Sequence, residues 1–328
     1  MKLVVVFASI VLALLTTHGA RASELGSPAK KVGKETEKDP GLMIQVVAGE
    51  WGDAKPEEIK SLLDAVAAEL LTHFPGRRLD PIVVSPTRQG PVVLYQKSPK
   101  NEYQIYLAAK DKRWAEYVYE FSHELFHILV NYEYHAPPRS ARHQWFEETL
   151  CETVSLYTLK RLSLTWEQSP PRAEWASYAR SLNGYTKAVL TEQHRRLPEN
   201  TSLAQWFQEN GPVLLDHPYL REKNELVANL FLPLLEQNPD WRAAGFLNLD
   251  VPQSETSFHD YLANWYGQTP MEQREFIRHA MKMFQFETPA TTKANLAKVE
   301  LQPELQTPVA NHASTDVEPA GASGPTRQ

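Results

Sequence analysis

His123, Glu124 and His127 lie within the run Phe-Ser-His-Glu-Leu-Phe-His-Ile-Leu-Val-Asn, residues 121 to 131. On an α-helix, positions i and i+4 stand one turn apart on the same face, so two imidazoles at 123 and 127 can approach one metal ion together. Glu124 then falls beside the ion rather than on it, where it can take a proton from an attacking water. This is the chemistry that hydrolysis of an amide requires. The competing reading is two core histidines on a helix with a solvated Glu between them. The surrounding residues favour the first. From Ala115 to Tyr132 apolar side chains recur at 118, 121, 125, 128 and 129 with no Pro or Gly, which predicts a helix under the motif.

A metal centre of this kind needs a third protein ligand. The metzincin pattern would place Gly at 130 and His at 133, but the chain has Val130 and Glu133. Downstream, residues 143 to 152 read His-Gln-Trp-Phe-Glu-Glu-Thr-Leu-Cys-Glu. This segment resembles the Trp-Leu-x-Glu-Gly-x-Ala-Glu segment of the gluzincins, the superfamily of thermolysin and the aminopeptidase N group. The resemblance covers the two motif segments only. It implies a zincin-like fold and a Zn²⁺ cofactor held by His123, His127 and Glu148, the last carried on a second helix. It also implies that Glu152, one turn on, receives an N–H from a ligand histidine and fixes its tautomer. Thr149 stands where the family pattern has Gly and Cys151 where it has Ala, both small side chains. Glu147 is the competing third ligand. Glu148 is preferred because it alone has both the preceding Trp-Phe-x and an acid four residues later. Gluzincins further place a Tyr or His from the lower lobe against the oxyanion. His217 and Tyr219, just before a predicted helix, are the candidates, with Tyr185 and His259 as further options.

The elements that must position these residues can be read along the chain. Leu42 to Val47 alternates as a strand, and Pro56 to His73 has the apolar spacing of an amphipathic helix closed by Pro75-Gly76. Pro81 to Val84, Val92 to Gln96 and Glu102 to Ala108 are strand-like. Tyr103 to Ala109 takes the place of the strand that borders the cleft, where its free edge would bind extended peptide by strand addition; an ordinary central strand is the alternative. Tyr134 to Gln144, with Pro137-Pro138, is a connecting loop, and Trp145 to Leu162 is the ligand helix. Helical pattern then dominates: 172 to 196, 202 to 209, 219 to 237, 257 to 266 and 270 to 284, with breaks near 198, 211 to 212, 239 and 267. Trp175, Trp206, Trp241 and Trp265 recur at helical spacing and are expected in the core. The expected fold class is α+β: a mixed-sheet upper lobe over about 42–135 and a helical lower lobe over about 136–286.

The ends have a different character. Residues 1 to 22 carry one Lys, the apolar run Leu3 to Leu15 and Ala20-Arg21-Ala22, a secretory signal peptide with cleavage after Ala22. Residues 23–41 form a polar linker and 287–328 a disordered tail rich in Thr, Pro, Ala and Gln. The mature chain is expected to be secreted or periplasmic, with no membrane span. A net charge of −6 offers no basic face for nucleic acid. Cys151 is the sole cysteine of the chain, so no intramolecular disulfide forms, and a small buried thiol is expected there. The function implied is a gluzincin-type zinc metallopeptidase acting on peptide or protein substrates. Two other classes are carried beside it: a zinc-binding pseudoenzyme or helical interaction protein on the same fold, and a zinc amidase acting on a non-peptide substrate. Oligomeric state and endo- or exo-specificity are not encoded in any recognisable segment.

Overall fold

A computed structural model describes residues 42–135, 143–249 and 257–289. The chain opens with strand β1 (Ile44–Val46), helix α1 (Pro56–Leu71), strand β2 (Ile82–Pro86), the short strand β3 (Val92–Val93) and strand β4 (Tyr103–Leu107). The four strands form one sheet in the order β1-β2-β4-β3. β1, β2 and β4 are parallel, with Ile44 opposite Ile82 and Ile82 opposite Tyr103; β3 runs antiparallel to β4, with Val93 opposite Ile105. Parallel neighbours need a crossover, which α1 provides between β1 and β2. Alternation sets the faces. Ile82 and Val84 on β2, and Tyr103, Ile105 and Leu107 on β4, are all buried.

This order corrects one expectation. β4 lies inside the sheet between β2 and β3, so it has no free edge; the edge on that side belongs to β3. The valines at 92 and 93 were legible as a strand, but their pairing on the far side of β4 was not, because register between non-adjacent segments is set by packing rather than by propensity.

Helix α2 (Trp114–Leu129) carries the His-Glu-x-x-His residues and helix α3 (Gln144–Thr165) the downstream acids. α2 stops short of Tyr132 because Asn131 adopts a left-handed backbone (φ 59°), a conformation that Asn tolerates better than most residues. The Asn131 side chain is fixed there, accepting from Arg77 (2.6 Å) and donating to the Gly245 carbonyl (2.6 Å). A 3₁₀ turn follows at Tyr132–His135. α3 is buried nearly all round, with α2 and the later helices packed against it. Its polar residues are tolerated because their hydroxyls bond back to carbonyls one turn earlier: Thr149 to Trp145 (2.9 Å), Thr153 to Thr149 (2.7 Å) and Thr158 to Val154 (2.8 Å).

The rest is helical: α4 (Ala179–Leu190), α5 (Leu203–Asp216), α6 (Arg221–Gln237), α7 (Phe258–Gln268) and α8 (Glu275–Met283), linked in part by 3₁₀ turns. The fold class is therefore α+β, a small mixed sheet with mostly helices. The single long helix expected over 172 to 196 is instead a 3₁₀ turn (Ala173–Tyr178), α4 and a second turn (Gln193–Arg195). Conversely, α5 runs through the expected break at Gly211-Pro212. Trp175, Trp206, Trp241 and Trp265 are buried as expected. Among the described residues, no helix is long and apolar enough to cross a membrane. The signal segment 1–22, the linker 23–41 and all but the first three residues of the expected tail lie outside the described residues.

Candidate metal centre

α2 and α3 cross so that both histidines face one carboxylate. His123 Nε2 lies 3.2 Å from Glu148 Oε2, and His127 Nε2 lies 3.6 Å from Glu148 Oε1. The two imidazole rings are 5.0 Å apart and tilted by 67°, as one helical turn dictates. Each Nδ1 meets a different acid on α3. His127 Nδ1 donates to Glu147 Oε1 at 2.6 Å, and His123 Nδ1 stands 3.7 Å from Glu152 Oε2. Because a carboxylate only accepts, the His127 Nδ1–H held by Glu147 leaves its Nε2 lone pair for an electrophile, whereas His123 makes its hydrogen bond through Nε2 to Glu148 and its Nδ1 stands outside hydrogen-bond reach of Glu152. Three donors, two nitrogens and a carboxylate, thus converge from their outer sides. That donor set suits Zn²⁺, which takes imidazole and carboxylate ligands and in catalytic sites keeps a fourth position open.

The acids behind the histidines are themselves supported. Glu147, only 1 % exposed, also accepts from Asn248 Nδ2 (2.8 Å), and Asn248 donates in addition to the Val130 carbonyl (3.0 Å). The Tyr261 hydroxyl donates to Asn248 Oδ1 at 3.4 Å. Glu152 accepts from Arg195 Nη2 (3.2 Å). Arg195 also pairs with Glu192 (2.9 Å) and Glu225 (3.0 Å), while Arg221 reaches Glu225 at 2.6 Å. Burial pushes the Glu225 carboxyl up, but the two guanidiniums more than offset this and hold it below the usual range. Glu152 ends above its usual range because burial outweighs the help of Arg195.

No known family model, curated protein or solved structure matches the chain. Its chemistry must therefore be argued from the site itself.

Glu124 is 3 % exposed and its carboxyl is pushed up to about 8 by burial, with His127 opposing and Glu148 adding to the shift. The Val93 N–H on the outer edge of β3 also donates to it, so the sheet edge borders the proposed base. Burial likewise lowers His123. Around His127 burial works against charge, but Cys151, Glu148 and Glu147 together more than compensate and hold its proton well above the usual range. Cys151 is buried and hydrogen-bonded to His127 one turn beyond Glu147; burial pushes its thiol up to about 12. Its Sγ lies within 4.8 Å of a ring nitrogen of both His123 and His127, on a face of α3 that it shares with Glu147 and Glu148, so it borders the centre beside the carboxylate that meets both Nε2 atoms.

Of the lower-lobe candidates, Tyr219 belongs at the site. The residue is 45 % exposed, yet burial of its hydroxyl, with Tyr95 and Glu148 nearby adding and His127 opposing, raises its pKa. Tyr185 falls near Arg221, Glu152 and Glu120, on the other side. His217 caps α5 as an exposed residue, and His259 lies beside the Glu287 carbonyl; among the described residues neither makes a hydrogen bond or ion pair with the metal-centre residues. Sequence reasoning missed Tyr95, whose hydroxyl accepts from Gln144 Nε2 (3.2 Å) one turn before Glu148 and whose ring stacks on Tyr132. It also missed Arg195 and Asn248, which nothing local marks. Glu147 was visible only as a rival ligand; its adjacency to Glu148 was the signal that it would back the other histidine.

Proposed function

We propose that this chain is an exported zinc metallopeptidase with a zincin-like, gluzincin-type site. The observation that carries the reading is the convergence of His123 Nε2 and His127 Nε2 on Glu148 while each Nδ1 is turned toward a separate acid. Zn²⁺, when bound by His123, His127 and Glu148, supplies a Lewis acid for the scissile carbonyl and lowers the pKa of water. The remaining work falls to the chain. Glu124 takes a proton from the attacking water and delivers it to the leaving amine; a dication beside it favours its carboxylate form, offsetting the rise due to burial. Tyr219 and Tyr95 both feel the charge of Glu148 and are the hydroxyls we assign to the oxyanion side. β3 forms the sheet edge beside Glu124, with Val92 exposed and the buried Val93 donating its N–H to that carboxylate, which suits an extended polypeptide laid along β3 at Val92.

Metal analysis of the full chain together with a peptide-library cleavage profile tests this reading. The expected result is about one zinc per chain and cleavage abolished by chelation. Glu124→Gln should keep its zinc and lose about 10²- to 10⁴-fold in kcat. Undiminished cleavage by that variant, or a zinc-loaded wild type that cleaves nothing, would sink the proposal. Export predicts a mature N-terminus at or near Ser23, read by N-terminal sequencing; retention of Met1 removes that part of it.

A further inference from the structure

We propose that Arg195 is a positioning residue for the metal centre, fixing Glu152 behind His123 and tying that ligand to the start of α6. The inference rests on the metal-site reading above and extends it to a residue that no motif contains.

Arg195 is 2 % exposed. Its Nη2 is shared by Glu152 Oε1 on α3 (3.2 Å), Glu225 Oε1 on α6 (3.0 Å) and the Tyr119 hydroxyl on α2 (3.3 Å). Tyr119 stands one turn before His123, so the guanidinium joins three helices at the level of that histidine. The backbone is pinned as well: Asn229 Nδ2 on α6 donates to the Arg195 carbonyl at 3.2 Å. Glu225 in turn takes Arg221 Nε at 2.6 Å and His194 Nε2 at 2.5 Å. α6 begins at Arg221, which also holds Glu225, so the same cluster that steadies His123 anchors the start of α6.

Stability is a poor reason for such a cluster, because the cost of burying the charges offsets most of their attraction. Orienting a carboxylate does not demand a cation either. Glu147, in the equivalent place behind His127, is held by the amide of Asn248. What the guanidinium adds is reach: one planar group with several donors can bind acids from two helices at once. Glu192, His194 and Glu225 also bring ligand atoms within 4.8 Å of one another, but Arg195 already holds Glu192 and Glu225, and Arg221 holds Glu225. That grouping is therefore the cage of Arg195 rather than a second metal site.

The test measures zinc affinity of the full chain by chelator competition, visible absorption of the cobalt(II)-loaded protein, and thermal unfolding without metal. Arg195→Met should weaken zinc binding about ten- to a hundredfold and shift the cobalt bands, as loss of a group that orients a ligand does. Arg195→Lys, which keeps the charge and loses the fork, should recover part of both. The double variant Arg195→Met/Glu152→Gln should bind zinc no more weakly than the weaker single variant, because the two residues act through one path. Wild-type affinity and unaltered cobalt bands in Arg195→Met, even with a lower melting temperature, overturn the proposal, as do losses that multiply in the double variant. Should Arg195→Met not fold, Glu225→Gln, which loosens Arg195 from α6, carries the test: weaker zinc binding supports the proposal and wild-type affinity overturns it. A wild type that binds zinc without cleaving peptides sinks the peptidase reading and leaves this inference to the affinities. One that binds no zinc overturns both.

Discussion

Behind His127 runs an arm through Asn248 and Tyr261 that is short and, beyond the first acid, neutral; behind His123 runs one through Arg195 that is longer and ionic. Glu147 meets His127 Nδ1 at 2.6 Å and is held by Asn248, which Tyr261 holds in turn. Glu152 stands 3.7 Å from His123 Nδ1 and is held by Arg195 within a cluster of acids and guanidiniums. The neutral arm reaches its ring through a tight hydrogen bond, whose strength falls steeply with geometry. The ionic arm leaves a longer gap to its ring and holds Glu152 through several elements, by Coulomb attraction between Arg195 and the acids in a poorly solvated region. Two ligands on one helix are thus oriented by different physics, and their variants should behave differently.

The change with the largest expected effect removes what the arms share. Glu148 is the carboxylate that both Nε2 atoms face, so Glu148→Ala should take zinc from about one per chain to near none while the protein still folds, as metal analysis and circular dichroism would show. A variant that keeps full zinc would mean that the convergence on Glu148 is not a ligand set.

Glu120 shows what burial of an acid costs where a cation helps it least, Arg113 lowering its pKa by less than any other cause. It accepts from the Ala108 and Ala109 N–H groups at 2.8 and 2.9 Å, yet burial raises its carboxyl to about 7. A carboxyl whose folded pKa lies above its unfolded value binds its proton more tightly when folded, so stability is lost as pH rises from about 4.5 through about 7. Glu120→Gln keeps the acceptor and removes the titration. It should leave the melting temperature unchanged near pH 4.5 and raise stability by up to about 3 kcal/mol at pH 8. Parallel pH curves for wild type and variant would deny that Glu120 is charged at the cost described.

Glu147→Ala probes the neutral arm at its tight contact. Zinc affinity should fall about ten- to a hundredfold, with the stoichiometry at saturating zinc unchanged, because His127 loses its orienting acceptor but the ligands remain. Loss of the site altogether would make Glu147 the ligand and shift the reading of α3 by one residue. Smallest is Tyr261→Phe, which deletes a 3.4 Å hydrogen bond at the far end of the same arm. It should cost less than about 1 kcal/mol in chemical denaturation and leave zinc affinity within error. A larger effect on zinc would show that the neutral arm is as far-reaching as the ionic one.

The sequence by itself determined that α2 would form under His123, Glu124 and His127 and set both imidazoles on one face, because helical periodicity and i,i+4 spacing are local properties of the chain. It equally determined that a second helix would carry 147, 148 and 152, and that Trp175, Trp206, Trp241 and Trp265 would be buried. Only the tertiary structure decided which face of α3 meets α2, and hence that Glu148 faces both Nε2 atoms while Glu147 and Glu152 each back a different ring. It placed β3 rather than β4 at the sheet edge beside Glu124. Arg195, Asn248 and Tyr95 reach the centre from segments distant in sequence, and no spacing rule connects them to the motif. Contacts between distant segments depend on how whole helices and strands pack, a property of the assembled core that no local window contains.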